Sequence, residues 1–201
     1  MGAYSELLEK YGDLSSEKDK KEILKIFPRK EGKLVFPSEG KIVIPRGRTL
    51  VFFNSCYKEA SSEKILKKLE CHSICKMVSM SAIKESYGTY DNACEIINSI
   101  FEDDVIYGLE DGYITVIEDV YTDMLGRAIL LKGFEKYYTN VVAITLDYSI
   151  EAKGSFIYDM FNSLSRLNED RRNRLRLGVD FNYIVPLSVI DSLKIVIDKK
   201  V

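Results

Sequence analysis

The sequence predicts an α/β fold in which a parallel sheet is flanked by helices. From residue 61 onward, continuous apolar runs of strand length alternate with segments whose apolar residues recur at helical spacing. Such runs are typical of strands buried on both faces, as in a parallel sheet packed between helices. The chain has 201 residues, of which 46% are hydrophobic, so it can bury one substantial core. We therefore expect one main domain.

The first 32 residues predict a small helical appendage to that domain. Residues 4–11 have the spacing of an amphipathic helix that stops at Gly12. The charge-rich run 15–25 predicts a second helical piece. The expected organisation is therefore an appendage at residues 1–32 and a main domain at residues 33–201.

Three short β-prone runs open the main domain, at residues 33–36, 41–44 and 49–53. They are separated by Pro37, Gly40, Pro45 and Gly47, and such residues mark turns. The pattern predicts an antiparallel hairpin or meander, which would make residues 33–56 a small N-terminal β hood.

The remaining elements are expected to alternate along the chain. Helices are predicted at residues 62–69, 89–101, 127–137 and 155–167 and from residue 188, and strands at residues 74–78, 104–107, 113–117, 141–146 and 181–185. Residues 108–112, Gly-Leu-Glu-Asp-Gly, predict a tight acidic hairpin turn between two of these strands.

Charge and hydropathy exclude several classes of protein. A formal charge of −2 gives no cationic field over the whole chain, so nucleic-acid binding is not expected. The basic run at residues 171–176 is interpreted as a solvated helical face. The chain lacks a membrane-length apolar stretch and a signal-peptide layout at its start, so the expected location is the cytoplasm. It also contains no glutamine, which is typical of heat-adapted proteins.

The cysteines and the single histidine predict neither a metal site nor a nucleophilic couple. Cys56, Cys71, Cys75 and Cys94 do not form paired CxxC clusters. Cys71, His72 and Cys75 could supply metal ligands, but apolar thiols are the preferred interpretation, so no metal is predicted. A Ser-His or Cys-His mechanism would depend on His72 alone.

The candidate binding site follows the predicted strand at residues 113–117. This segment reads Glu118-Asp119-Val120-Tyr121-Thr122-Asp123-Met124-Leu125-Gly126. Carboxylates at the carboxyl end of a strand can accept hydrogen bonds from ribose hydroxyls, and the N–H groups of a helix N-terminus can hold a phosphate. An acidic pair at a strand end, followed by a loop that opens a helix, resembles the signature of phosphoribosyltransferases.

Three further blocks resemble orotate phosphoribosyltransferases and occur in that family's order. Residues 40–54 are similar to its hood, with Arg48 as the cation of a Ser-Gly-Lys turn. Residues 147–151 resemble its Asp-Arg-x-Glu segment, and the chain from residue 177 resembles its closing strand and helix. The resemblance covers roughly residues 40 to 198. It implies a type I phosphoribosyltransferase-like fold, a dimer, and a nucleotide or phosphoribosyl pyrophosphate (PRPP) as ligand.

The ligand loops depart from what that family's chemistry needs. Residues 122–125 replace a Thr-Thr-Gly-Gly phosphate loop, and a carboxylate about 5 Å from a phosphate charge costs about 3 kcal/mol at an effective dielectric near 20. Residues 79–87 contain no glycine for pyrophosphate, residues 108–112 are too short for the family's cationic lid, and Tyr148 replaces an arginine. We therefore predict no catalytic residue and a degenerate substrate-binding set. That set is Glu118, Asp119, Tyr121, Thr122, Asp123, Gly126, Arg48 and Lys84.

The expected function is that of a catalytically impaired paralogue linked to pyrimidine nucleotide metabolism. It would act as an oligomeric partner, with itself or with an active phosphoribosyltransferase, or as a nucleotide- or PRPP-binding protein. The pairs Phe52-Phe53 and Tyr137-Tyr138 could form the interface, although core packing explains them equally well.

Two alternatives remain open. The first is an active phosphoribosyltransferase that transfers ribose 5-phosphate from PRPP to orotate or another base, with Mg²⁺ accompanying the PRPP. The second is a metal-dependent nuclease, because Asp123 or Asp147 precedes the Glu-x-Lys string at residues 151–153.

Overall fold

The computed structural model describes residues 2–11, 25, 30–37, 40–54, 60–88, 93–120, 124–147 and 175–198. The helices are α1 (Ala3–Tyr11), α2 (Ala60–Glu70), α3 (Met80–Tyr87), α4 (Ala93–Glu110) and α5 (Met124–Gly133), with a short 3-10 helix at Leu187–Val189. The strands are β1 (Lys33–Val35), β2 (Lys41–Pro45), β3 (Thr49–Asn54), β4 (Cys75–Val78), β5 (Ile114–Val120), β6 (Asn140–Asp147), β7 (Phe181–Pro186) and β8 (Lys194–Asp198).

The main sheet has six strands in the order β1-β7-β6-β3-β5-β4, and every pairing in it is parallel. Strand β6 is buried over its last seven residues because it lies inside the sheet with layers on both faces. The parallel sheet flanked by helices that the sequence predicted is therefore confirmed.

Two apolar clusters cover the two faces of this sheet. The first cluster joins α1, α4 and α5 to one face, where Leu50 and Phe52 of β3 project. The second joins α2, β2 and the 190–193 segment to the other face, where Val51 and Phe53 project. Alternate residues of β3 thus enter different clusters, as the twofold repeat of a strand requires.

The antiparallel hairpin or meander predicted for residues 33–53 is wrong. β1 pairs with β7, β2 pairs with β8 in a separate two-stranded sheet, and β3 pairs with β5 and β6, all in parallel. The turn between β2 and β3 is as tight as expected, with Gly47 at a φ of 113°. However, β3 lies inside the main sheet, because its side chains are apolar on both faces. Two of the three predicted hood strands, β1 and β3, lie in that sheet, and β2 alone lies outside it.

The strand predicted at residues 104–107 and the hairpin turn after it are also wrong. Residues 93–110 form one helix, α4, whose residues Ile97, Phe101, Val105 and Leu109 are buried at four-residue spacing. The β-branched residues in the middle of the helix suggested a strand, but tertiary packing overrides that weak preference. Gly108 allows the close approach of α4 to β5, since a Cβ there would lie 2.5 Å from Thr115 Oγ1.

The predicted helix from residue 188 is replaced by a strand. A three-residue 3-10 helix ends at Val189, and β8 follows as the partner of β2. The run Lys-Ile-Val-Ile-Asp in β8 alternates exposed and half-buried residues, which is a strand period rather than a helical one. The predicted helical segments at residues 15–25 and 155–167 lie outside the described residues, apart from residue 25.

Helix α1 packs against α4 and α5. The Tyr4 ring lies 5.1 Å from that of Phe134 and 5.3 Å from that of Phe101, centroid to centroid. The buried carboxylate of Glu102 in α4 accepts hydrogen bonds from the backbone N–H groups of Gly2, Tyr4 and Ser5 at the start of α1. A side chain about 100 residues away in the sequence therefore caps the first helix.

Candidate functional site

The acidic pair lies near the carboxyl end of β5, the strand between β3 and β4 in the main sheet. Glu118 is half-buried, and Asp119 follows it in the same strand. Val51 of β3 pairs with Val116, but Phe53 pairs with Val120, so three residues of β5 oppose Phe52 alone. This β-bulge contains the acidic pair, and bulges of this kind re-aim side chains at the ends of strands.

The bulge coincides with a change in the direction of the chain across the sheet. After β3 the chain forms α2, which packs in the second cluster on one face of the sheet. After the adjacent strand β5 it forms α5, which packs in the first cluster on the opposite face. In open α/β sheets, ligands bind at the carboxyl ends of strands where connections diverge in this way. The structure thus places Glu118 at the preferred position for a ligand.

Helix α3 begins at the same edge, directly after β4. Val78 of β4 pairs with Ile117 of β5, and the next residue, Ser79, caps the helix by accepting a hydrogen bond from the Ala82 N–H at 3.2 Å. The expected pyrophosphate loop at residues 79–87 is therefore a helix, which can present only its first N–H groups to an anion. Lys84 is exposed one turn farther on, about 6 Å along the helix axis.

Arg48 lies at the opposite edge of the sheet. It precedes β3, and its carbonyl accepts a hydrogen bond from the Thr139 N–H at 2.8 Å, just before β6 begins. Phe53 is the fourth residue after Thr49, where β3 begins, so the two lie about 13 Å apart along the strand. The structure does not bring Arg48 together with Glu118.

The loop that should hold the phosphate lies mostly outside the described residues. Tyr121, Thr122, Asp123 and the side chain of Asp119 lie outside the described part of the chain. Gly126 lies inside α5 as its third residue, so it belongs to a helix and not to a glycine loop.

A buried polar row, which the sequence did not reveal, lies beneath the carboxyl edge on the face of the first cluster. Asn182 of β7 is fully buried and accepts a hydrogen bond from Thr145 Oγ1 of β6 at 2.8 Å. Asp147, two residues farther along β6, is also buried. Arg127 of α5 is 2% exposed and lies over the ring of Phe52. In the sequence, this buried polar row is indicated only by a polar residue within an apolar strand, such as Asn182 in β7.

Cys71, His72 and Cys75 occupy the other edge, near the start of β4. Cys71 is exposed, and with His72 it lines a cavity of about 390 Å³ beside Arg46. Burial raises the pKa of the Cys75 thiol to about 11, so this group is protonated and a weak metal ligand. In the described part of the chain, no three Cys, His, Asp or Glu residues are grouped as metal ligands would be. Cys56 lies outside that part.

None of the helices in the described ranges is long and apolar enough to cross a membrane. No protein-family model matches the sequence, and no curated protein matches it. The function must therefore be inferred from the geometry of the carboxyl edge itself.

Proposed function

We propose that this protein binds a phosphorylated ligand of the nucleotide class, a nucleoside monophosphate or PRPP, at the carboxyl edge of the main sheet, without catalysing transfer. One observation carries the proposal. Glu118 lies in a β-bulge between strands whose connections leave to opposite faces, and the N-terminus of α3 lies at the same edge. A carboxylate can accept hydrogen bonds from ribose hydroxyls, while helix N–H groups attract phosphate.

The same geometry argues against catalysis of transfer from PRPP. Phosphoribosyl transfer requires cations that clamp the leaving pyrophosphate and a lid that excludes water. Residues 108–110 are the last residues of α4, and only a short turn connects them to β5, so no lid lies in that stretch. Arg48 lies at the far edge, and Lys84 is one turn away from the helix start.

Thermal unfolding in the presence of candidate ligands tests the binding proposal. PRPP, orotate and uridine monophosphate (UMP) are the first probes, chosen from the resemblance to orotate phosphoribosyltransferases. A ligand at 100 times its Kd adds about 2.7 kcal/mol to the free energy of unfolding, which for a chain of this size is about 5–10 °C in Tm. Failure of all these probes to raise Tm would exclude the proposal in this form.

A matched pair of variants locates the site. Glu118→Gln should reduce the shift in Tm caused by UMP, because it removes a charged acceptor from the carboxyl edge. Glu110→Gln is the control, since this exposed residue at the end of α4 lies toward the amino edge of β5. Equal shifts in the two variants would show that the ligand binds elsewhere.

An active phosphoribosyltransferase is the alternative function. Incubation with PRPP, Mg²⁺ and a panel of bases measures release of pyrophosphate. We expect no release above background, and release that Glu118→Gln abolishes would replace the binding role by catalysis.

We also propose that the protein acts as an oligomer, with a second copy or with an active phosphoribosyltransferase. Phe52 and Phe53 are fully buried in the central strand, so they cannot form the contact surface. Co-expression with an active orotate enzyme, followed by size-exclusion chromatography, should yield either a homodimer or a mixed species. Elution of both proteins as separate monomers would contradict this role.

A further inference from the structure

The guanidinium of Arg127 is buried, and two of its nitrogens find no partner among the described residues. Nη2 donates to the backbone carbonyls of Leu175 at 3.0 Å and Leu177 at 2.7 Å. Nε and Nη1 are buried and have no hydrogen-bond partner in the part of the chain that the structure describes. The central carbon of the group lies 5.3 Å from the centroid of the Phe52 ring, which supplies a cation–π contact but no counter-charge.

Within the described ranges, no carboxylate forms an ion pair with this cation. Burial lowers the pKa of its guanidinium to about 10, so the group remains charged at neutral pH. A buried charge without a partner is strongly unfavourable, and buried N–H groups without acceptors add to that cost. The hydrogen bonds that Arg127 donates to the two carbonyls offset only part of this cost.

The surroundings of Arg127 are polar on the side of β7. Leu175, whose carbonyl Arg127 contacts, also accepts a hydrogen bond from Asn182 Nδ2 at 2.9 Å. Phe52 and Asn182 both pair with Ala143 of β6, so the guanidinium lies over the row that these residues form. Phe52 is two residues from the end of β3, which is about 7 Å from the edge where the ligand is proposed to bind.

We propose that Arg127 binds the phosphate group of the ligand through the N–H groups that the protein leaves unpaired. This inference rests on the proposed function and specifies how its site holds the anion. A phosphate offers several acceptor oxygens and the missing negative charge, and arginine is well suited to bind it. The ligand then extends from the carboxyl edge, with its sugar at Glu118 and its 5′-phosphate beside Phe52 and Asn182, which leaves the N-terminus of α3 for the pyrophosphate of PRPP.

Calorimetric titration of the full chain with pyrophosphate, UMP and uridine tests this assignment. Arg127→Met preserves most of the side-chain volume and removes the charge, Arg127→Lys retains a charge, and Arg46→Met removes an exposed arginine from the amino edge as a control. Loss of a hydrogen bond to a charged group predicts a Kd for UMP and pyrophosphate that is about ten- to a hundredfold weaker in Arg127→Met. Arg46→Met should bind like the parent protein, and uridine binding should be unaffected by either change.

The outcomes separate this inference from the proposed function. If UMP binds the parent protein and both Arg127 variants equally, Arg127 does not hold the phosphate, although the binding function stands. If pyrophosphate binding depends on Arg127 but neither UMP nor PRPP binds, the anion site is real and the nucleotide class is wrong. If no anion binds the parent protein, both proposals fail. Should Arg127→Met not fold, Arg127→Lys decides, with a Kd about tenfold weaker expected because lysine lacks the planar fork.

Discussion

Replacing Glu102 by glutamine should destabilise the protein by about 3 kcal/mol. The carboxylate is buried, and its Oε2 atom accepts from the N–H groups of Gly2 at 3.2 Å and Ser5 at 3.3 Å and from the Ser5 hydroxyl at 2.6 Å. Oε1 accepts from the Tyr4 N–H at 2.9 Å. A glutamine amide has one acceptor oxygen, so in either orientation its NH₂ group faces at least one of these donors.

The magnitude follows from two contributions. A hydrogen bond to a charged group is worth about 1.5–3 kcal/mol. The attraction between a buried carboxylate and the N-terminus of a helix adds up to about 2 kcal/mol. For a chain of this length, a loss of about 3 kcal/mol corresponds to a fall in Tm of about 6–12 °C.

Urea unfolding followed by circular dichroism measures this loss. Asp103→Asn is the matched control, because it makes the same chemical change at the next residue of α4, where the side chain is exposed. The control should lie within about 0.5 kcal/mol of the parent protein. If Glu102→Gln is no less stable than Asp103→Asn, the carboxylate does not anchor α1, and the described packing of the first helix would need revision.

Three further predictions concern packing and pH. Gly133→Ala should lower the free energy of unfolding by about 1–3 kcal/mol, because the new Cβ would lie 2.7 Å from the Cα of Tyr4, and a stability gain in urea would contradict that contact. Tyr183→Phe removes a hydroxyl that donates to the Val43 carbonyl at 2.6 Å and accepts from its N–H at 3.0 Å, so the Val43 amide should exchange hydrogen faster, whereas unchanged exchange would argue against this link between the sheets. Burial and nearby carboxylates raise the pKa of Tyr138, so the folded state retains a proton that the unfolded state loses, and Tm should fall as pH rises above about 10. Tyr138→Phe should make this alkaline fall shallower, and identical slopes from pH 8 to 11 would refute the assignment.

Local patterns in the sequence were sufficient for the class of fold and for many elements. Strand β6 is a continuous apolar run, and helix α2 has apolar residues at helical spacing; both lie where they were predicted. These two predictions were correct because each depends only on which residues of one segment face the core. The strand predicted at residues 104–107 was wrong because a β-branched run inside a long helix has the local preference of a strand.

The features of the candidate site also differ in whether a local pattern could predict them. The position of Glu118 near the end of a strand could be predicted from the sequence, because an acidic residue after an apolar run is a local pattern. The bulge that surrounds it could not be predicted, since it is defined by register against β3, about 65 residues earlier in the chain. The sequence analysis did not select Arg127, because the adjacent residues do not indicate that this helical arginine is buried.

The sequence by itself determined that this protein forms an α/β sheet with helices packed on its faces, because hydrophobic periodicity records burial one segment at a time. Only the tertiary structure decided which strands pair, that β1, β2 and β3 join parallel partners rather than one another, and that Glu102 and Arg127 are buried. Those outcomes depend on contacts between residues far apart in the chain. Their energies come from burying surface and pairing polar groups across that distance, which no local pattern encodes.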